Sequence, residues 1–213
     1  MQSKKMMNKT FYVKYGKRIF DLVVSLVGLI ILWPVFLLSA VLIKIFDKGP
    51  IFYKQDRVGQ NFKHFKLIKF RTMKADCSNS GPLITKSNDQ RITRVGKFLR
   101  KFKLDEMPQI FNVLKGEMSV VGPRPEVEKF VNLFKDDYEE ILKVKPGMAS
   151  ETIIFFRDEE ETLSQFENVE EGYIKEVLPR KISIDKDYIR NINFLRDCKI
   201  FIFTFLRVIY FRK

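Results

Sequence analysis

The hydrophobic pattern of the chain begins with a block rather than a period. From Leu22 to Ile43 the sequence reads LVVSLVGLIILWPVFLLSAVLI, without a charged residue. As an α-helix this run extends roughly 33 Å, enough to cross the hydrocarbon core of a bilayer. It is too long for a signal-peptide core, and no small-x-small cleavage site ends it. Pro34 falls near its middle, so a kink is expected there, with Ser25 and Ser39 as hydroxyls able to take up freed backbone carbonyls. Lys14, Lys17 and Arg18 precede the run, and Lys44, Lys48, Lys54 and Arg57 follow it. The positive-inside rule favours keeping both flanks in the cytosol. Two arrangements stay open: a kinked single crossing, and a re-entrant hairpin broken at Ser25 and Pro34 with both ends cytosolic.

Beyond the block the pattern shortens. Strand-like runs at 51–55 and 62–70 flank DRVGQN, which predicts a β-hairpin with Gly59 in the turn. Residues 75–90 are polar with Gly and Pro and read as a loop. In RITRVGKFLRKFK, Val95, Phe98, Leu99 and Phe102 recur at helical spacing, with Arg94, Lys97, Arg100, Lys101 and Lys103 around them. Such a basic amphipathic helix suits a membrane surface, and equally a solvated face over a core. Helices are expected within 126–143 and 179–196, and the acidic stretch 151–171 reads as a surface excursion. The C-terminal KIFIFTFLRVIYFRK is apolar and aromatic but short for a span. The expected fold is mixed α/β (α+β), mainly helical with a small β-hairpin. Its parts are a basic segment at 1–18, the membrane helix at 19–46, and a cytosolic catalytic domain with interfacial amphipathic helices at 47–213.

Charge sharpens this picture. Residues 1–103 hold 22 Lys/Arg against 5 Asp/Glu, whereas 104–213 hold 17 against 21. The basic half is the one suited to an anionic partner, lipid or nucleic acid. No nucleic-acid reader motif accompanies it, and the apolar block fits such a role badly. Cys77 and Cys198 form no disulfide or zinc pattern, and the single His64 leaves nothing for histidine-based chemistry.

The candidate chemistry lies in LDEMPQIFNVLKGEMSVVGPRPE, residues 104–126. Taken as a helix, Asp105 suits the N-cap, Pro108 the first turn and Gly116 the C-terminal stop. Capping alone then accounts for two adjacent acids. The chemical alternative is that Asp105 and Glu106, kept ionised at a helix N-terminus, share a Mg²⁺ whose other positions take phosphate oxygens. Arg124, stiffened by Gly122, Pro123 and Pro125, is a pre-set fork for a phosphate. A carboxylate nucleophile, a divalent ion and a rigid arginine suit phosphoryl transfer through an acyl-phosphate.

KRIFDL, the proline-centred apolar run, GPIFYKQDRVG, FKLIKFRTM, LDEMPQIFNVLKGEMSVVGPRPE, KPG and FLRDCKI occur in this order over most of residues 17–203. Together they resemble the bacterial sugar transferase family, the monotopic phosphoglycosyl transferases. The resemblance implies an enzyme that moves a sugar-1-phosphate from a nucleoside diphosphate sugar, usually UDP-linked, to polyprenol phosphate. It implies Mg²⁺ as cofactor, UMP as product, membrane lipid as environment, and the cytosolic face of the bacterial inner membrane as location. The products would be glycoconjugates such as capsule, O-antigen, exopolysaccharide or glycoprotein glycans. Carried over by motif, Asp105 resembles the nucleophile, Glu106 its partner in metal or proton handling, and Arg124 the phosphate-binding arginine. Lys69 and Arg71 are further phosphate candidates, and Asp185 and Tyr188 resemble a family acid and aromatic at the substrate. The family's proline-broken helix favours the hairpin. After VKPGMAS the chain departs from the family pattern, which leaves the sugar open. A homodimer is also left open. A non-catalytic, membrane-anchored adaptor is the contrasting reading.

Overall fold

The computed structural model describes residues 11–74, 89–156 and 159–210. Most of the basic N-terminal segment and the greater part of the expected 75–90 loop lie outside the described residues. After a single π-type turn at Tyr12–Gly16, helix α1 (Lys17–Phe46) carries the apolar run and continues through Pro34. Ser39, not Ser25, takes up a carbonyl beside the proline: its hydroxyl donates to the Val35 carbonyl at 2.8 Å. Ser25 Oγ is buried without a hydrogen bond.

The burial of α1 is inverted relative to a soluble helix. Its buried residues are Lys17, Asp21, Ser25, Ser39 and Ile43. Ile19, Val23, Ile30, Ile31, Trp33 and Leu37 are exposed. Apolar side chains outward and polar ones inward is the arrangement expected when lipid is the solvent. Among the described residues, the helix reaching from Tyr12 to Phe46 is long and apolar enough to cross a membrane. Both of its ends are nevertheless tied to one body of protein. Lys17 Nζ donates to the Val121 carbonyl at 2.7 Å, and at the other end Thr93 donates to the Asp47 carboxylate at 2.8 Å.

The predicted hairpin is present as β1 (Phe52–Val58) and β2 (His64–Phe70), antiparallel, with Phe52 opposite Phe70 and Val58 opposite His64. Its turn differs from expectation. Gly59 is extended at φ −112°, and Asn61 and Phe62 carry the left-handed conformations at φ 54° and 59°. An asparagine tolerates that region through local hydrogen bonding, so the turn residue is Asn61 rather than the glycine.

Helix α2 (Arg94–Lys101) follows, capped by Thr93 Oγ1, which accepts from the Gly96 amide at 2.8 Å. Next come a 3₁₀ turn at Leu104–Glu106 and helix α3 (Gln109–Lys115), which stops at Gly116 with φ 84°. A parallel pair, β3 (Ser119–Val121) and β4 (Gly147–Ala149), brackets α4 (Glu128–Leu133) and α5 (Lys135–Ile141). The 126–143 helix is thus two helices, split at Phe134 (φ −126°, ψ 43°).

The acidic stretch is not a mere surface excursion. It folds into α6 (Glu151–Phe155), α7 (Glu159–Ser164) and α8 (Val169–Gly172), and Leu163 and Val169 enter a core with Val58, Phe130, Tyr138 and Leu178. Helix α9 (Leu178–Arg190) and helix α10 (Phe194–Tyr210) close the chain. Ile202, Phe203 and Phe205 of α10 remain exposed, as does Phe98 of α2, which fits interfacial helices.

Candidate functional site

Three local devices assemble the candidate site. The first fixes α3 against the hairpin. Asn112, fully buried, accepts from the Ile68 amide at 3.0 Å and donates to the Lys66 carbonyl at 2.8 Å. This sets the turn that carries the two acids against β2 and its Lys69. The second fixes the loop after β3. The Gly122 amide donates to Ala149 and the Gly147 amide to Pro123, at 3.0 and 2.8 Å. The backbones approach so closely that a Cβ on Gly147 would lie 2.1 Å from the Gly122 nitrogen. The KPG segment therefore serves the GPRP loop. The third is α1, whose Arg18 donates to the last carbonyls of α3, Val113 and Leu114, at 2.7 and 2.9 Å.

These devices bring Asp105, Glu106, Lys69 and Arg124 together. Arg124 grips Glu106 with both ends of its fork, Nη2 to Oε1 at 2.6 Å and Nη1 to Oε2 at 3.2 Å, and Lys69 Nζ donates to Oε1 at 3.1 Å. Burial by itself would raise the Glu106 pKa. The charges of Arg124 and Lys69 outweigh that and hold the carboxyl well below its ordinary range. Lys69 is lowered by burial, with Glu106 opposing and Arg124 adding to the shift.

Asp105 departs from the capping expectation. The helix begins at Gln109 behind Pro108, and Asp105 lies in the separate 3₁₀ turn, after a left-handed Lys103 (φ 53°). Without a helix amide to accept from, its Oδ1 is buried and has no hydrogen-bond partner. Its pKa is raised, by burial first and by the Glu106 charge second. The two acids expected to stay ionised alike are thus driven apart, the arrangement that separates the roles of paired carboxylates.

The other predicted residues go elsewhere. The one side-chain hydrogen bond of Arg71 among the described residues runs from Nη2 to the Asp47 carbonyl at 3.0 Å, while its buried Nε and Nη1 have none. It braces the end of α1 rather than joining the acids. Tyr188 is buried with its hydroxyl donating to Asp197 at 2.7 Å and accepting from Lys17 at 3.1 Å, a latch on the start of α1. Asp185, one turn earlier on α9, is buried beside a different group. Its pKa is pushed up to about 8 by burial, with Lys181 opposing and Glu126 and Glu151 reinforcing.

The sign of that shift gives a testable pH dependence. A carboxyl whose folded pKa is raised holds its proton while the unfolded chain has lost it. Its stabilising contribution is therefore present below about pH 4 and is lost as pH rises toward 8. Relative to Asp185→Asn, the wild-type protein is expected to lose up to about 1.4 kcal/mol per pH unit between about pH 5 and 7. Denaturation midpoints of both proteins across that window check it; parallel profiles contradict it.

Sequence reasoning missed two clusters. One is Arg57–Glu126–Tyr173: Arg57 Nη1 donates to Glu126 Oε1 at 3.0 Å and to the Pro125 carbonyl at 3.2 Å, and the Tyr173 hydroxyl donates to Glu126 Oε2 at 2.6 Å. It ties the segment that departs from the family pattern to the loop of Arg124. The other is Lys17–Asp197–Tyr12, whose only sequence signals are the charges inside KRIFDL and FLRDCKI.

The model of the bacterial sugar transferase family matches residues 12–211, nearly the whole chain. The chain belongs to the bacterial sugar transferase family. Three relatives illustrate its range. A putative undecaprenyl-phosphate N-acetylgalactosaminyl 1-phosphate transferase of Bacillus subtilis is 45% identical over 121 residues, 57% of this chain and 68% of that protein. A UDP-N-acetylgalactosamine-undecaprenyl-phosphate N-acetylgalactosaminephosphotransferase of Aeromonas hydrophila is 36% identical, covering 91% of this chain and 43% of the relative. A UDP-glucose:undecaprenyl-phosphate glucose-1-phosphate transferase of Xanthomonas campestris is 36% identical, covering 93% and 40%. The chain thus spans less than half the length of the last two.

For a family member, the acids also bear on the expected Mg²⁺. Among the described residues no group of three or more His, Cys, Asp or Glu could hold a metal ion. Mg²⁺ needs only one or two carboxylates when water and substrate phosphates complete its shell. Asp105 Oδ1 is an orphaned hard oxygen of the right kind, whereas both Glu106 oxygens are already engaged by Arg124 and Lys69. The residues therefore fit a Mg²⁺ that Asp105 would hold, with water or phosphate oxygens completing its shell, while Glu106 holds the two cations in place.

Proposed function

We propose that this sugar transferase moves a sugar-1-phosphate from a UDP-sugar to undecaprenyl phosphate, through a covalent intermediate on Asp105, at the start of a glycan assembly pathway. The observation that carries the reading is the buried, unpartnered Asp105 Oδ1 beside the Glu106–Arg124–Lys69 cluster. In the first step Asp105 Oδ1 attacks the phosphorus bonded to the sugar. The P–O bond to UMP breaks, and UMP leaves with the electron pair. In the second step a phosphate oxygen of undecaprenyl phosphate attacks the same phosphorus and the Asp105 carboxylate leaves.

A bound Mg²⁺ would supply charge neutralisation on the phosphates and favour ionised Asp105. Arg124 and Lys69 present cationic donors to the oxygens of the transferring group, and Glu106 keeps both pre-aimed. The UDP form of the donor is inferred from the printed activities of the Aeromonas and Xanthomonas relatives. For the membrane, the attachment of both ends of α1 to the body that holds Asp105 favours the re-entrant arrangement, with both ends on the cytosolic face of the inner membrane.

Purified protein given Mg²⁺, undecaprenyl phosphate and a panel of UDP-sugars is expected to release UMP with one or a few of them. No release with any donor would favour the adaptor reading. Arg124→Lys replaces a fork with a point charge and loses paired hydrogen bonds to Glu106 and phosphate. Its kcat/KM for UMP release is expected to fall by roughly tenfold or more. Unchanged kinetics would remove Arg124 from the site.

A further inference from the structure

The hairpin has two faces, and the reaction uses one of them. Lys69 and Tyr53, paired across the strands, lie on the face that meets Glu106. Phe52, Lys54, Ile68 and Phe70 share the other, because side chains alternate along a strand. On that reverse face Phe52, Lys54 and Ile68 form a shallow cleft of about 450 Å³ with Phe111, Leu114 and Lys115 of α3. The floor is apolar, and among the described residues that line it Lys54 and Lys115 are the charged ones. Both lysines are exposed, and neither has an ion pair among the described residues. The nearest acid on the same strand face, Asp56, is already paired with Lys66 at 2.7 Å.

The cleft is continuous with the lipid-facing helix. Phe36 of α1, two residues past Pro34, packs on Phe70, Phe111 and Phe52, with ring centroids 4.8, 5.5 and 6.5 Å apart. Its neighbours Trp33, Leu37 and Leu38 are each more than half exposed. Phe36 therefore joins the apolar outer surface of α1 to Phe52 and Phe111, two of the rings that line the cleft. An apolar slot that opens on acyl chains and carries two free ammonium groups is complementary to one amphiphile: an anionic phospholipid, with a chain in the slot and its phosphate between the lysines. Lysine stems of this kind cover apolar surface while the charge reaches the headgroups.

We propose that the cleft bounded by Phe52, Ile68, Phe111 and Leu114, with Lys54 and Lys115 at its rim, binds one anionic diacyl phospholipid as a fixed lipid distinct from the polyprenol substrate. This rests on the reading of α1 as a membrane-embedded helix. The bound lipid sits between the β1–β2 hairpin and α3, the two elements that carry Lys69 and follow directly on the acids. Because the slot is on the reverse face of the hairpin, its occupant does not compete for Asp105.

The test uses the full-length protein reconstituted in nanodiscs containing phosphatidylglycerol and phosphatidylcholine, then released into mild detergent for native mass spectrometry. One phosphatidylglycerol is expected to stay bound to the wild type in preference to phosphatidylcholine. Lysines near the bilayer surface attract anionic headgroups, so Lys54→Glu with Lys115→Glu is expected to weaken retention by roughly tenfold or more. Leu114→Trp, which fills the slot and leaves both lysines, is expected to lose the adduct as well. Flotation on pure phosphatidylcholine vesicles is expected to be the same for all three proteins. Equal retention by wild type and double variant would overturn the proposal, as would displacement of the phospholipid by added undecaprenyl phosphate. Failure of the wild type to float would instead overturn the membrane reading of α1, and the lipid site with it.

Discussion

Asp105→Asn is expected to abolish UMP release by about three orders of magnitude or more, while leaving a protein that is folded and no less stable than the wild type. An amide oxygen does not displace UMP from phosphorus, so the covalent route closes; three orders correspond to about 4 kcal/mol of barrier. The stability half of the expectation comes from the geometry. Asp105 is buried, its Oδ1 has no partner, and the engaged carboxylate of Glu106 is next to it in sequence. Removing that charge removes like-charge repulsion and the cost of an unsatisfied buried oxygen. An inactive but equally or more heat-resistant variant is what a residue kept for chemistry looks like. Mass spectrometry of wild type with donor alone should find a sugar-phosphate on Asp105, absent from the variant. Near-wild-type turnover by the variant would end the nucleophile assignment, and a large fall in its melting temperature would show that Asp105 is structural.

The second large effect lies at the other end of the scaffold. Asp197 is fully buried and accepts from Lys17 at 2.6 Å, Tyr12 at 2.6 Å and Tyr188 at 2.7 Å. Asp197→Ala removes the ion-pair partner of the buried Lys17 ammonium, which keeps hydrogen bonds to the Val121 carbonyl and the Tyr188 hydroxyl among the described residues, with the Asp21 charge nearby. Breaking one side of such a pair costs about 3–5 kcal/mol, a large share of a domain's total of roughly 5–15 kcal/mol. For a chain of this size the melting temperature is expected to drop by about 6–20 °C. The double variant Lys17→Met with Asp197→Leu is expected to recover most of that loss, since an apolar pair removes the stranded charge. Calorimetry or a thermal-shift series in detergent measures both; an unaltered Asp197→Ala protein would show that the latch is not what holds α1 to β3 and α10.

Much of this protein was legible along the chain because it depends on local pattern. The uncharged run from Leu22 to Ile43 names a helix long and apolar enough to cross a membrane, since length and composition alone decide that. The strand-like runs at 51–55 and 62–70 name the hairpin, found at 52–58 and 64–70, and Gly116 names the end of α3, because strand pattern and a left-handed φ are properties of neighbouring residues. The motif order gave Asp105, Glu106 and Arg124 their place in the family. What the chain did not reveal depends on residues brought together from a distance. The Arg124 fork closes on Glu106 because Asn112 and Gly147 fix two separate loops. Asp105 has no helix amide to accept from because it sits in a separate 3₁₀ turn and α3 starts only at Gln109, behind Pro108. The buried Lys17–Asp197 pair joins residues 180 positions apart. A charged side chain in a sequence carries no sign of whether it will end in water or inside. Only tertiary packing sets its solvation, and solvation decides whether a carboxylate here caps, clamps or attacks.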